Sequence, residues 1–305
     1  MWERVVEISA DDRYLSVLRG FLKIDGPEGE LGRIPLDDIA CVINSGHGCT
    51  FTGNVIAALA ERGAPVVMVN KTFQPCAMLY PLGQHGETNA RIAAQIDATK
   101  PLSKRLWQSI IRRKIEAQAA ALKRLGLPFA PVAALEASVK SGDPHNIEAQ
   151  AARRYWPILM GTEFRRQPEL PDSNILFNYG YTILRSATAR AIAATGLHPA
   201  IGIHHKTRGD ALALADDLVE PFRPAVDLIV YALVKAGITT LTPDSKKQLV
   251  AVLTHDYATG EGTTPLGTCL VRVAQSLADV YLGRSSKLVF PDSVLPLLDH
   301  QPCLL

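Results

Sequence analysis

The chain has 305 residues, 47% of them hydrophobic and 20% charged, with a formal net charge of +2. Those proportions suit a two-domain globular enzyme with a substantial core. They argue against a membrane-spanning chain, because no uninterrupted apolar run approaches the roughly 20 residues of a span. The five cysteines, Cys41, Cys49, Cys76, Cys269 and Cys303, form no Cys-x-x-Cys pair, which argues against a disulfide framework and a zinc site. The N-terminal Met-Trp-Glu-Arg lacks a basic-then-apolar signal pattern, so a cytoplasmic protein is expected.

The small net charge hides an asymmetry. Residues 1–80 carry 7 Lys/Arg against 10 Asp/Glu, residues 89–166 carry 14 against 6, and residues 167–305 carry 11 against 13. A basic middle segment beside acidic ones suits a polyanion held next to a metal site. A solvated basic helical face explains the same counts.

Residues 1–80 read as strands. Segment 5–8 is short and apolar. Segments 14–19 and 21–24 precede a reversal at Asp25-Gly26-Pro27-Glu28-Gly29, where Gly and Pro supply the backbone angles of a turn. Segment 39–44 has the apolar run of a buried strand. Thr52 caps a helix with Val55, Ile56, Leu59 and Ala60 at helical spacing, and Gly63 ends it. Segment 64–70 returns as a strand, and 77–80 reads as another. This gives a β-rich N-terminal domain, 1–80, with a structural or dimerising role. Residues 81–88, Pro-Leu-Gly-Gln-His-Gly-Glu-Thr, read as a linker. From 89 to 305 the pattern is helical: an Ala-rich stretch over 89–126 with a break near Lys100-Pro101, then helices over 130–140, 145–160, 173–195, 210–219, 222–236, 243–256 and 263–283. The expected fold class is α+β, a small β-rich domain joined by a short linker to a larger all-α domain. The tail from Pro296 to Leu305 is expected to be loose.

Three places in the helical part could carry chemistry. On a helix over 146–155, Ala151, Ala152 and Tyr155 share the face of Glu148, while Arg153 and Arg154 turn away. A carboxylate buried in such a stripe must be paired, hydrogen-bonded or metal-bound. A structural ion pair with an arginine is the plain alternative to a ligand. His204 and His205 point different ways in either a helix or a strand, so at most one enters a given site. Spacing does not choose between them. Asp217 and Glu220, at i and i+3, share a helix face, and Pro221 ends or kinks the helix at Glu220. The alternative there is an acidic surface turn with Arg223 as ion-pair partner, which suits Asp216 better than Glu220. Glu148, one histidine and Glu220 would offer two oxygens and one nitrogen. With water and a phosphate oxygen, that set suits Mn²⁺ or Mg²⁺.

Longer motifs add what spacing lacks. They are Asn-Ile-Glu-Ala-Gln-Ala-Ala-Arg-Arg-Tyr over 146–155, Tyr-Gly-Tyr-Thr-Ile-Leu over 179–184, Gly-Leu-His-Pro-Ala-Ile-Gly-Ile-His-His over 196–205, and Asp-Leu-Val-Glu-Pro-Phe-Arg-Pro-Ala-Val-Asp over 217–227. In this order they resemble the CRISPR-associated adaptation integrases, the Cas1 family, and the resemblance covers essentially the whole chain. Ala149 stands where the family often has Gly after its catalytic Glu. The compact length and the Glu-Pro-Phe-Arg-Pro form are similar to the type II branch.

The resemblance implies that Glu148, His205 and Glu220 are catalytic and bind the metal. His205 is chosen because it occupies the fourth position of the Gly-x-x-His motif, and Asp217 would support it. The resemblance further implies Mg²⁺ or Mn²⁺ as cofactor, double-stranded DNA as substrate, and homodimers flanking a dimer of the small partner Cas2. The implied reaction joins short foreign DNA fragments to the CRISPR array by transesterification; with water as nucleophile the same site is an endonuclease. From charge distribution, Arg112, Arg113, Lys114, Arg153, Arg165 and Arg166 are expected to contact the DNA backbone. Two other classes compete. One is a non-catalytic DNA-architectural scaffold whose carboxylates form structural ion pairs; the other is a metal-dependent hydrolase of small phosphoesters.

Overall fold

A computed structural model describes residues 4–297 apart from 45, 71–74, 80–85, 168, 171 and 206–210. In chain order the N-terminal elements are β1 (Arg4–Ile8), β2 (Tyr14–Leu18), β3 (Phe21–Gly26), β4 (Gly29–Pro35), β5 (Ile39–Asn44), β6 (Thr50–Phe51), α1 (Gly53–Glu61), β7 (Val66–Val69) and β8 (Pro75–Leu79). They form two four-stranded sheets, ordered β1-β5-β7-β8 and β4-β3-β2-β6. In the first, β1, β5 and β7 run parallel and β8 closes the edge antiparallel. In the second, the β2–β3 hairpin pairs Leu15 with Ile24 and Val17 with Leu22. Leu15 and Leu22 are buried with Val6, Ile8, Leu36, Val42, Val55 and Leu59 in one core. Thr52 caps α1 by accepting from Val55 N, and Gly63 takes φ +73 just past its end, as the sequence predicts. The strand β4 was not expected. Its Gly-Glu-Leu-Gly-Arg-Ile-Pro has no apolar alternation, and it is stabilised by pairing along β3 as a largely solvent-facing edge.

The helical part comprises α2 (Gly86–Ile96), α3 (Lys100–Arg124), α4 (Ala130–Ala133), α5 (Ile147–Met160), α6 (Asn174–Ala194), α7 (Ala213–Val219), α8 (Arg223–Lys235), α9 (Pro243–Val250), a hairpin of β9 (Asp256–Thr259) and β10 (Gly262–Pro265), and α10 (Leu266–Tyr281). The first of these starts at Gly86, inside the stretch read as linker; residues 81–85 lie outside the described residues. The break near Lys100-Pro101 is the N-terminus of α3, where Thr99 accepts from Leu102 N. The expected helix over 130–140 is only the single turn α4 and a 3₁₀ turn, Glu136–Ser138. The β9–β10 hairpin lies between the last two expected helices and shortens both. Trp107, Ile110, Tyr155, Phe177, Val226 and Leu277 belong to the main core. Ile43 and Val67 from the first sheet pack on Ala193 of α6, and Arg190 pairs with Glu7 at 3.3 Å, tying the two parts together.

The chain after α10 returns as a strap over α3. Arg113 donates to the carbonyls of Pro291 and Asp292, and Arg124 to that of Pro296 at 2.7 Å. Leu295 packs on Ala117 and Ala121 of the same helix. Pro296 is therefore anchored, and residues 298–305 lie outside the described residues. Among the described residues no helix is long and apolar enough to cross a membrane. Cys49, Cys76 and Cys269 are free thiols; Cys303 and the Cys41 side chain lie outside what is described.

Candidate active site

The histidine arm is built by backbone. Gly196 ends α6 with φ +70, and the chain turns toward α2. There the buried Gln95 accepts from His198 N and donates to the carbonyls of His198 and Ile201. Leu214 N donates to Pro199 O, which fastens the same loop to α7. Asp217, fully buried on α7, then collects the loop's end. Its carboxylate accepts from the amides of Ile203 at 2.6 Å, His204 at 2.9 Å and His205 at 3.2 Å, and it faces His205 Nδ1 at 2.7 Å. A carboxylate satisfied by three amides needs no neutralising arginine. Gly202 is required here, because a Cβ on it would collide with the His205 carbonyl oxygen and reach 3.0 Å from Asp217 Oδ2. The hydrogen bond to Asp217 raises the His205 pKa above its ordinary value, against the opposing effect of burial. His204 goes elsewhere: its ring stacks on Trp107 of α3 with centroids 4.2 Å apart and planes 2° from parallel.

The acid arm meets on a lysine. Asn146, at φ +50, accepts from Ala149 N, and Asp143 accepts from the amides of Ile147 and Glu148, so the first turn of α5 is fixed. That turn presents Glu148. Its side chain retains 26% exposure, more than the apolar stripe of Ala151 and Tyr155 suggests. From the other side, Pro221 ends α7 as expected, and Glu220 opens the 3₁₀ turn Glu220–Phe222 that leads into α8. Lys114 Nζ of α3 lies 2.6 Å from Glu148 Oε1 and 2.5 Å from Glu220 Oε2. Both contacts are of hydrogen-bond length, so the buried Glu220 Oε2 has the Lys114 ammonium as its partner. Arg223 pairs with Glu220 Oε1 at 3.1 Å. Burial pushes the Glu220 pKa up, but Arg223 and Lys114 outweigh it and hold the carboxyl below its ordinary value. Burial likewise opposes the charge on Lys114, and Glu220 and Glu148 more than offset it.

Behind the acids lies a second buried carboxylate. Asp227 on α8 accepts from Tyr155 OH at 2.9 Å and Tyr181 OH at 2.5 Å. Burial outweighs both hydrogen bonds and raises its pKa to about 6. The guanidinium groups of Arg166 and Arg223 lie over the Tyr181 ring, 5.2 and 4.9 Å from its centroid. Gly180 lets α6 approach α8 this closely, since a Cβ there would sit 2.5 Å from Val226 Cγ1.

The structure thus brings Glu148 and Glu220 onto one cation and holds His205 against Asp217. Among the described residues no three His, Cys, Asp or Glu side chains lie close enough to hold a metal as they stand. The ion pairing of the acidic turn differs from the expectation: Arg223 serves Glu220, and Asp216 pairs with Arg185 at 2.6 Å. The basic set divides. Lys114 is not on a surface face but buried between the two glutamates. Arg113 holds the strap, and Arg166 donates to Asn174 and Asn178. Arg165 bonds the carbonyls of Thr162 and Phe164. Arg112 is exposed and 3.8 Å from Glu136; Arg153 is exposed. Sequence reasoning missed the place of Lys114, Gln95, Trp107 and Asp227. A signal for Lys114 was present: its neighbours at i−4, i−3, i+3 and i+4 are Ile110, Ile111, Ala117 and Gln118, all buried.

Residues 6–258 match the family described as CRISPR associated protein Cas1. The chain is 32% identical over 277 residues to the CRISPR-associated endonuclease Cas1 of Neisseria meningitidis serogroup C, covering 90% of this chain and 91% of that one. Its fold is similar to a chain of a partial Cas6-RT-Cas1–Cas2 complex, with TM-score 0.72 and 18% identity over 95% of this chain and 99% of that one. It is also similar to a casposase bound to an integration product, with TM-score 0.67 and 19% identity over 97% and 96%. With that match across most of its length, the chain belongs to the Cas1 family.

Proposed function

We propose that this chain is a metal-dependent DNA endonuclease and integrase of CRISPR adaptation, which joins short foreign DNA fragments to the repeat array by transesterification. The observation that carries the reading is the meeting of Glu148 and Glu220, from separate elements, on one shared cation, with the Asp217-held His205 near enough for its charge to act on Glu220. The donor set fits Mg²⁺ or Mn²⁺: two carboxylates, one imidazole, and a cation already standing between the acids. Glu148, His205 and Glu220 would hold the metal. When bound, it lowers the pKa of an attacking hydroxyl and neutralises charge on phosphate oxygens.

The chain's own residues do the rest. Asp217 occupies His205 Nδ1 and leaves Nε2 as the nitrogen available to a ligand. Arg223 fixes Glu220 through its other oxygen. Exposed Arg112, Arg153 and Arg165 are suited to DNA phosphates, while Arg113, Lys114 and Arg166 act from within the fold. Relatives support the assignment: one is named an endonuclease, one fold neighbour is bound to an integration product, and another is part of a Cas1–Cas2 complex. We take double-stranded DNA and Cas2 as partners, a homodimer as the assembly unit and the cytoplasm as location.

One observation favours a second reading. The Lys114 pairs with Glu148 and Glu220 are the structural ion pairs a non-catalytic DNA scaffold would have. Strand joining and cleavage with Mn²⁺ separate the two. Glu148→Ala, His205→Ala and Glu220→Ala are expected to lose both activities and keep DNA binding. Full joining by all three variants would refute the site, and loss by His204→Ala with retention by His205→Ala would refute the choice between the histidines.

A further inference from the structure

We propose that Lys114 is the resident counter-ion of the Glu148–Glu220 pair and exchanges places with the divalent cation; this rests on the metal-dependent reading above. The two oxygens that converge are Glu148 Oε1 and Glu220 Oε2, and both converge on Lys114 Nζ, at 2.6 and 2.5 Å. A divalent ion that takes both oxygens takes the ammonium's place, since like charges at that separation repel strongly in a buried site. The other cation nearby differs: Arg223 meets Glu220 through Oε1, not through the oxygen that contacts Lys114.

The lysine is suited to exchange. Its Cα is fixed on the 25-residue α3, and its flanking turns, Ile110, Ile111, Ala117 and Gln118, are buried. The stem is a flexible four-carbon chain ending in a compact charge, unlike the rigid fork of an arginine. Two carboxylates drawn together repel unless neutralised, and the ammonium in contact with both supplies that neutralisation. On exchange the ammonium stays tethered beside the site and adds its charge to that of the incoming metal. A phosphodiester then meets two positive groups where the metal-free protein shows a neutralised pair.

The test is Mn²⁺ binding to the full chain without DNA, by calorimetry and by electron paramagnetic resonance of free Mn²⁺, combined with thermal melts. Lys114→Gln and Lys114→Met are each expected to bind Mn²⁺ at least about tenfold more tightly than wild type. Each melts at lower temperature without metal and recovers when Mn²⁺ is added. Lys123→Gln, which removes one positive charge from an exposed place on the same helix, changes Mn²⁺ affinity much less. Exchange is overturned if the Lys114 variants bind Mn²⁺ no more tightly than wild type, or if Lys123→Gln tightens binding equally, which marks a diffuse charge effect. It is also overturned if both Lys114 variants stay unfolded with Mn²⁺ present. If neither wild type nor any variant binds Mn²⁺, the metal-dependent reading itself fails and takes this inference with it.

Discussion

Asp217→Asn isolates the cradle from Glu148 and Glu220. One Asp217 oxygen accepts from the amides of Ile203 and His204, and the other accepts from the His205 amide and faces its Nδ1. Asparagine keeps one acceptor oxygen and turns an NH₂ toward the other pair of donors. Two hydrogen bonds to a charged acceptor are lost, each worth about 1.5–3 kcal/mol, and donors are left facing a donor in a fully buried place. The expected destabilisation is on the order of 3 kcal/mol or more, which for a chain of this size lowers the melting temperature by roughly 5 °C or more. The second effect is on the imidazole. The Asp217 hydrogen bond is the largest cause of the raised His205 pKa and burial opposes it, so the variant's imidazole titrates lower than the wild type's. Thermal denaturation and histidine NMR read the two effects separately. A variant that melts within a degree of wild type and leaves the His205 titration unmoved refutes the cradle.

Gly202→Ala is expected to act on the same loop by overpacking, costing about 1–3 kcal/mol, since its Cβ would strike the His205 carbonyl oxygen; normal joining activity and an unchanged melt would refute the requirement for glycine. Asp227→Asn tests the buried acid behind the site. A carboxyl raised to about 6 in the fold takes up a proton on folding at intermediate pH, so its contribution is full below its unfolded pKa and is lost as pH rises through 6. Between pH 4 and 7 the wild type should therefore lose about 3 kcal/mol relative to Asp227→Asn, and a difference in denaturation midpoints that does not change with pH contradicts this. Tyr257→Phe removes a fully buried hydroxyl that has no hydrogen-bond partner among the described residues, and is expected to raise stability by about 1 kcal/mol; a loss of that size in chemical denaturation would show the hydroxyl is satisfied after all.

Much of this architecture was legible in the sequence where local chemistry and tertiary packing agree. Thr52 and Gly63 bracket α1 because capping and positive φ are local matters. Pro221 stops α7 at the residue that faces the site because a missing amide acts within one turn. What stayed hidden depends on partners far away in the chain. The edge strand β4 owes its conformation to β3, and the β9–β10 hairpin lies between two strong helical patterns. Lys114 was counted into a basic face because a sum of charges has no direction, whereas the apolar residues one turn either side of it do. The choice of His205 came from a motif; the backbone that holds the residue, three successive amides closing on Asp217, is a long-range contact that spacing does not encode.

Arg113 and Lys114 are adjacent on α3, yet one grips the carbonyls of Pro291 and Asp292 while the other spans the two glutamates. The strap is therefore a mechanical ground for the helix that carries the site's cation. A slip of α3 by one residue moves Lys114 by about 1.5 Å along the axis, enough to break contacts of hydrogen-bond length. Cutting the chain before residue 291 releases Arg113 and Arg124 and strips Leu295 from Ala117 and Ala121, all on that one helix. Residues 291–296 are distant from Glu148 and Glu220 in sequence yet grip the helix that carries Lys114, so a chain cut before them is expected to loosen the cation on which the two acids meet.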